Sequence, residues 1–173
     1  MIAQIPVNVF RLIILLLLQV LLFSNMRFSI FVNPYVFPLF VLLLPFETPR
    51  WLLLFLGLGA GLLLDFFLGS WGMHAAACLF VGYARPFLIN IITPKGTEFE
   101  VSPNLFAQGI AWFSIYTTVT MLIYLTFYFV VEAGTFYNFF WLLLKIAGST
   151  VVSVIFILIL LYFFSARKKR RYA

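Results

Sequence analysis

Apolar residues in this chain do not alternate with polar ones at a strand period. They run together in blocks broken only by Pro, Gly and isolated charges. Each block approaches the roughly 20 residues that a helix needs to cross a bilayer. The punctuation predicts six spans, over residues 9–23, 31–44, 51–68, 73–92, 105–131 and 139–164, followed by a basic tail at 165–173. The second is irregular, because Pro34, Pro38 and Pro45 fall in or beside it. A helix so interrupted is kinked or partly re-entrant, and a five-span alternative stays open. The predicted fold class is all-α, a polytopic membrane helix bundle forming one integral membrane domain.

Composition agrees with that pattern. With 65% apolar residues, 9% charged and a mean hydropathy of +1.14, the chain lacks the polarity to cover a globular surface in water. A net charge of +6 would suggest nucleic acid in a soluble protein, but five of the eleven bases are Arg167, Lys168, Lys169, Arg170 and Arg171. Beside an apolar helix such a cluster marks a cytoplasmic end, and it attracts an anionic leaflet by about 1 kcal/mol per base. Six spans then place both termini in the cytoplasm, with Arg50 and Lys95 inside and Arg27 alone outside. No Ala-x-Ala site follows the first apolar run, where Ser24-Asn25-Met26-Arg27 stands, so the first helix is expected to remain uncleaved. The expected protein is integral to a membrane, with multiple passes and no nucleic-acid partner.

One Cys and one His permit neither an internal disulfide nor a zinc ligand set, and no cofactor is expected. The absence of Gly-x-Ser-x-Gly and His-Glu-x-x-His argues against an enzyme.

Asp65 is the exceptional residue, a carboxylate within a membrane-length apolar run. Gly57, Gly61, Asp65 and Gly69 recur every four residues and share one helix face. Small residues at that spacing let helix backbones approach closely in lipid. His74, Cys78 and Gly82 repeat the spacing on the next helix and form a second narrow face able to oppose the first. The turn Gly69-Ser70-Trp71-Gly72 brings the amides of that helix's N-terminus beside Asp65. Asp65 and His74 are therefore expected to form a structural polar clip, with a hydrogen bond across the hairpin, rather than a catalytic pair.

Thr117, Thr120, Tyr124 and Tyr128 lie close to one face of the fifth span, a candidate surface for a partner helix or a ligand. Because Ser and Thr in membrane helices bond the preceding turn's carbonyl, packing is preferred over a pocket. Ser149, Thr150 and Ser153 likewise read as packing in the sixth span. The loop 93–103, with Lys95, Glu98 and Glu100, offers a cytoplasmic contact to a partner. Lys145 is expected at the outer boundary, extending its amine to water, with pairing to Glu132 or Asp65 as the other reading. Arg85, preceding Pro86, is expected to face lipid headgroups where Pro86 ends the spanning portion.

The run Gly57-Leu58-Gly59-Ala60-Gly61-Leu62-Leu63-Leu64-Asp65, then Gly69, Gly72, His74 and Ala75, resembles the bacterial rod shape-determining protein MreD family, most strongly over residues 49–88. The resemblance implies a non-catalytic inner-membrane component of the cell-wall elongation machinery. Its implied partners are an MreC-like bitopic protein, a RodA-like glycosyltransferase with its penicillin-binding transpeptidase, and MreB-like filaments. It also implies a fold like the substrate-binding subunits of energy-coupling-factor transporters, a fold-level analogy. A vitamin-type transporter subunit is the competing reading. Against it, Arg11 to Phe23 lacks the alanine-spaced coupling face such subunits carry.

Overall fold

A computed structural model of the chain describes residues 5–24, 33–93, 103, 108–134 and 139–169. Among them every regular element is helical: α1 (Ile5–Leu17), α2 (Leu39–Leu42), α3 (Arg50–Leu68), α4 (Met73–Ile92), α5 (Ile110–Ala133) and α6 (Phe139–Lys169). The protein is an all-α helix bundle. Five of its helical stretches are long and apolar enough to cross a membrane: Pro6–Phe23, Arg50–Leu68, Met73–Ile92, Ile110–Ala133 and Phe139–Phe163.

The first of these is not uniform. α1 passes directly into a wider π-helical stretch over Leu18–Phe23, closed where the Ser24 amide bonds the Gln19 carbonyl at 2.8 Å. Such wide turns mark places where a side chain is re-aimed. Here the buried residues are Gln19 and Phe23, of which Gln19 is polar.

The expected second span over 31–44 is not a membrane helix. Chain from Asn33 to Val36 is irregular, Phe37 and Pro38 make a turn, and α2 lasts only from Leu39 to Leu42. Its prolines are the physical cause: Pro34, Pro38 and Pro45 lack the N–H that a continuous helix requires and clash with the preceding turn. Yet every residue from Pro34 to Leu44 is buried. Irregular backbone at membrane depth is tolerated when it is enclosed by protein.

Contacts along this segment fix the direction of each element. Tyr35 lies against His74, at the α3–α4 turn, whereas the Pro45 carbonyl reaches Arg85 near the far end of α4. The segment therefore runs the depth of the bundle. Gln19 meets Pro34, Tyr116 and Tyr124 of α5 meet Arg85 and His74 respectively, and Ser153 of α6 meets Tyr35. α1 thus climbs toward the α3–α4 turn, 33–46 descends, α3 climbs, α4 descends, α5 climbs and α6 descends. Five helical passes and one irregular pass bring the start of α1 and the end of α6 to the same end of the bundle.

Pro86 does not end α4, which continues to Ile92. Arg85 accordingly stays inside the bundle at 1% exposure instead of facing headgroups.

Candidate functional site

The α3–α4 hairpin is built on backbone proximity. A Cβ at Gly61 would lie 2.7 Å from the Ala75 nitrogen and 2.8 Å from the His74 carbonyl oxygen, and one at Gly57 would lie 3.0 Å from the Cys78 carbonyl. Gly82 faces Leu53 in the same way, its Cβ position 3.3 Å from the Leu53 carbonyl. The two small-residue stripes do oppose one another. Gly69 is the exception to the expected packing face: it has open space around its Cβ position and sits at φ 68. Its role is to end α3 in the left-handed conformation that side chains disfavour, with its amide bonded to the Asp65 carbonyl.

Asp65, 6% exposed, lies one turn before that stop. One carboxylate oxygen accepts from the Ser70 hydroxyl at 2.6 Å and from the His74 amide at 3.0 Å. The other accepts from the Ala75 amide at 2.8 Å. These amides belong to the first turn of α4, whose own N-cap, Gly72, has no side chain to offer. Asp65 therefore caps the next helix from across the turn, placing its charge at the positive end of the α4 dipole. This removes the puzzle of an acid at the C-terminal end of an apolar helix.

The clip differs from expectation in one respect. The Asp65 bond runs to the main-chain N–H of His74, not to its ring. The imidazole turns into the bundle, where Nδ1 and the Tyr124 hydroxyl share a hydrogen bond of 2.6 Å. The ring stacks on Tyr128 with centroids 4.4 Å apart, and Tyr35 approaches at 5.7 Å. Backbone amides won the carboxylate because the tight turn presents them in fixed positions, whereas an imidazole must be ordered.

No family model, no curated protein and no solved structure matches this chain.

The fifth-helix stripe is not a partner-facing surface. Thr117, Thr120 and Tyr124 are fully buried and Tyr128 nearly so. Thr120 donates to the Tyr116 carbonyl of its own helix at 2.7 Å, while Thr117 Oγ1 has no partner among the described residues. What the stripe faces is the irregular segment and α4. Lys95, Glu98 and Glu100 lie outside the described residues, as do Arg170 and Arg171. Arg167, Lys168 and Lys169 occupy the final backbone turn of α6. Lys145 pairs with Glu132 at 2.6 Å and also lies 4.4 Å over the Phe129 ring.

The groups that hold 33–46 depart from expectation: Gln19 had no expected role, Ser149 and Ser153 were expected only to pack between helices, and Arg85 to face headgroups. Gln19 Oε1 accepts from the amides of Val36 at 2.8 Å and Phe37 at 3.3 Å, and its Nε2 donates to the Pro34 carbonyl. Ser149 and Ser153 hydroxyl oxygens accept from the amides of Asn33 and Tyr35. Arg85 donates to the carbonyls of Leu42, Leu44 and Pro45 and, at 2.9 Å, to the Tyr116 hydroxyl. A signal for Gln19 was present, since it is the one uncharged polar residue in 9–23.

Two of the cavities are lined by described residues. One of about 600 Å³ opens at the turn end, among Gln19, Asn33, Tyr35, Ser70, His74 and Tyr128. Its lining is aromatic and hydrogen-bonding, without a cation or carboxylate among the described residues. The other, about 330 Å³, lies at the opposite end beside Arg85. Among the described residues no three His, Cys, Asp or Glu side chains gather as metal ligands would.

Proposed function

We propose that this chain is a non-catalytic membrane scaffold of the bacterial wall-elongation machinery, located in the plasma membrane with both termini cytoplasmic. In this reading it holds an MreC-like bitopic protein and a RodA-like glycosyltransferase with its transpeptidase, and links them to MreB-like filaments. One observation carries the reading: the stretch on which the resemblance rests is spent on architecture. Both Asp65 oxygens are occupied by hydrogen-bond donors, and Gly57 and Gly61 are occupied by opposing backbone. A motif of that kind supplies a rigid shape rather than a reacting group.

The test is crosslinking from exposed positions, followed by identification of what is captured. Because the Thr117 to Tyr128 face is internal, the probes belong at Ile115 and Leu122 on α5 and at Phe66 and Phe80 on the hairpin. Capture of MreC-like or RodA-like proteins, with loss of rod shape on depletion, is the expected result. Unchanged shape on depletion, or neither protein captured, would overturn the reading.

The cavity of about 600 Å³ favours a second reading, a substrate-binding subunit of a small-molecule transporter. Recovery of an ATPase-coupled transport subunit in the same crosslinks would select it.

A further inference from the structure

Arg85 is a buried cation with no counter-charge among the described residues. Burying an ionised group is costly unless an opposite charge and full hydrogen bonding accompany it. Among the described residues the one ion pair is Lys145 with Glu132, at the other end of the bundle. The four acceptors around Arg85 are neutral: the Tyr116 hydroxyl and the carbonyls of Leu42, Leu44 and Pro45. They satisfy donors but cancel no net charge, and one N–H of the guanidinium, on Nη1, remains beyond these contacts.

That guanidinium lines the cavity of about 330 Å³, together with Arg50, Thr48, Asn90, Phe46 and Leu53. Arg50 brings a second positive charge, braced over the Phe87 ring at 5.7 Å. It also opens α3, whose N-terminus has no side-chain cap, so the first amides of a 19-residue helix add the positive end of its dipole to the same wall. Glu47, on the neighbouring turn, is exposed and within ion-pair distance of neither arginine. Two full charges and a helix start thus converge on one concavity, at the end of the bundle toward which α6 carries its basic tail.

We propose that this cavity is a binding site for a phosphate-bearing anion, with Arg85 supplying the fixed charge at its base and Arg50 closing on the ligand from its rim. Its position where the helices leave their apolar run matches the depth of a phospholipid headgroup, and basic pockets between membrane helices take such groups. A soluble phosphate carries the same chemistry.

The full chain, reconstituted in phosphatidylcholine nanodiscs with and without phosphatidylglycerol, provides the test. Native mass spectrometry reads retained lipid and thermal unfolding reads stabilisation, with inorganic phosphate added in a separate arm. Retention of phosphatidylglycerol, with a higher unfolding temperature than in phosphatidylcholine alone, is expected. The exposed variant Arg50→Gln should weaken retention about tenfold, as loss of one charge-assisted contact would. Substitution of Arg167, Lys168, Lys169, Arg170 and Arg171 by Gln should leave the tightly retained lipid in place. Stabilisation by inorganic phosphate alone, lost in Arg50→Gln, would assign the site to a free anion. The proposal fails if neither anion distinguishes itself from phosphatidylcholine, or if only the tail variant abolishes retention. Arg85→Lys is the folding-sensitive variant; Arg50→Gln decides the outcome without it.

Discussion

The α3–α4 hairpin and the segment 33–46 both bury backbone in the bundle, and they satisfy it by opposite means. In the hairpin nearly all polar main-chain groups are closed within each helix, and the His74 and Ala75 amides left at the turn are met by the Asp65 carboxylate, nine and ten residues away. In the segment the groups are met from 15 to 118 residues away, by Gln19, Arg85, Ser149 and Ser153. Regular helices need glycine to come close. Irregular chain needs polar side chains delivered to it by other helices. The hairpin should therefore be sensitive to added volume and the segment to lost hydrogen bonds.

The severest break is expected at Gly61→Leu. Its side chain would have to enter space held by the Ala75 and His74 backbone, which cannot give way as a side-chain tip can. Loss of monodisperse folded protein in detergent, by size-exclusion chromatography and circular dichroism, is the expected outcome. On the segment, Gln19→Leu keeps approximate size but strands two amides and a carbonyl in the interior. At about 1–3 kcal/mol for each unsatisfied buried group, a total loss of about 3 kcal/mol should appear as a lower unfolding midpoint.

Asp65→Ala should cost less, about 2 kcal/mol, because it removes a helix cap near a wet turn rather than an enclosed support. Slower or equal proteolysis at the turn, relative to the parent protein, would contradict the capping role. Ser153→Ala should lose about 1 kcal/mol by leaving the Tyr35 amide unpaired, and the loss should not add fully to that of Gln19→Leu, since both support one segment. Smallest of all is Gly59→Ala: its Cβ would meet nothing within 4 Å, so stability should hold or rise by about 0.5 kcal/mol through helix propensity. A large effect there would mean that this face of α3 is packed against something outside the bundle.

The same contrast explains how much could be read from the residues. The four-residue spacing of Gly57, Gly61 and Asp65, matched by His74, Cys78 and Gly82, led to a close hairpin with amides at the acid, because every part of it lies within about 25 residues of chain. Gly69 shared the spacing but not the role, since periodicity cannot distinguish a packing glycine from one that must adopt positive φ. Tyr124 and His74 were singled out for different duties, and nothing in either neighbourhood says that their side chains meet. Arg85 looked peripheral because Pro86 suggested a helix end. Proline instead sits inside α4, and the arginine faces the segment whose carbonyls need it.

Sequence by itself determined that this is a membrane-type, all-helical chain, where its long spans lie apart from 31–44, that prolines would interrupt that stretch, and that one hairpin would be drawn tight. Those properties follow from hydrocarbon length, missing proline N–H groups and small-residue spacing, all local quantities. The tertiary structure decided that the irregular stretch would be a buried pass, that Gln19, Ser149, Ser153 and Arg85 would hold it, and that the polar face of α5 would turn inward. Each of those outcomes depends on which helix supplies a hydrogen bond to a distant backbone group, and the local pattern of the chain carries no record of that pairing.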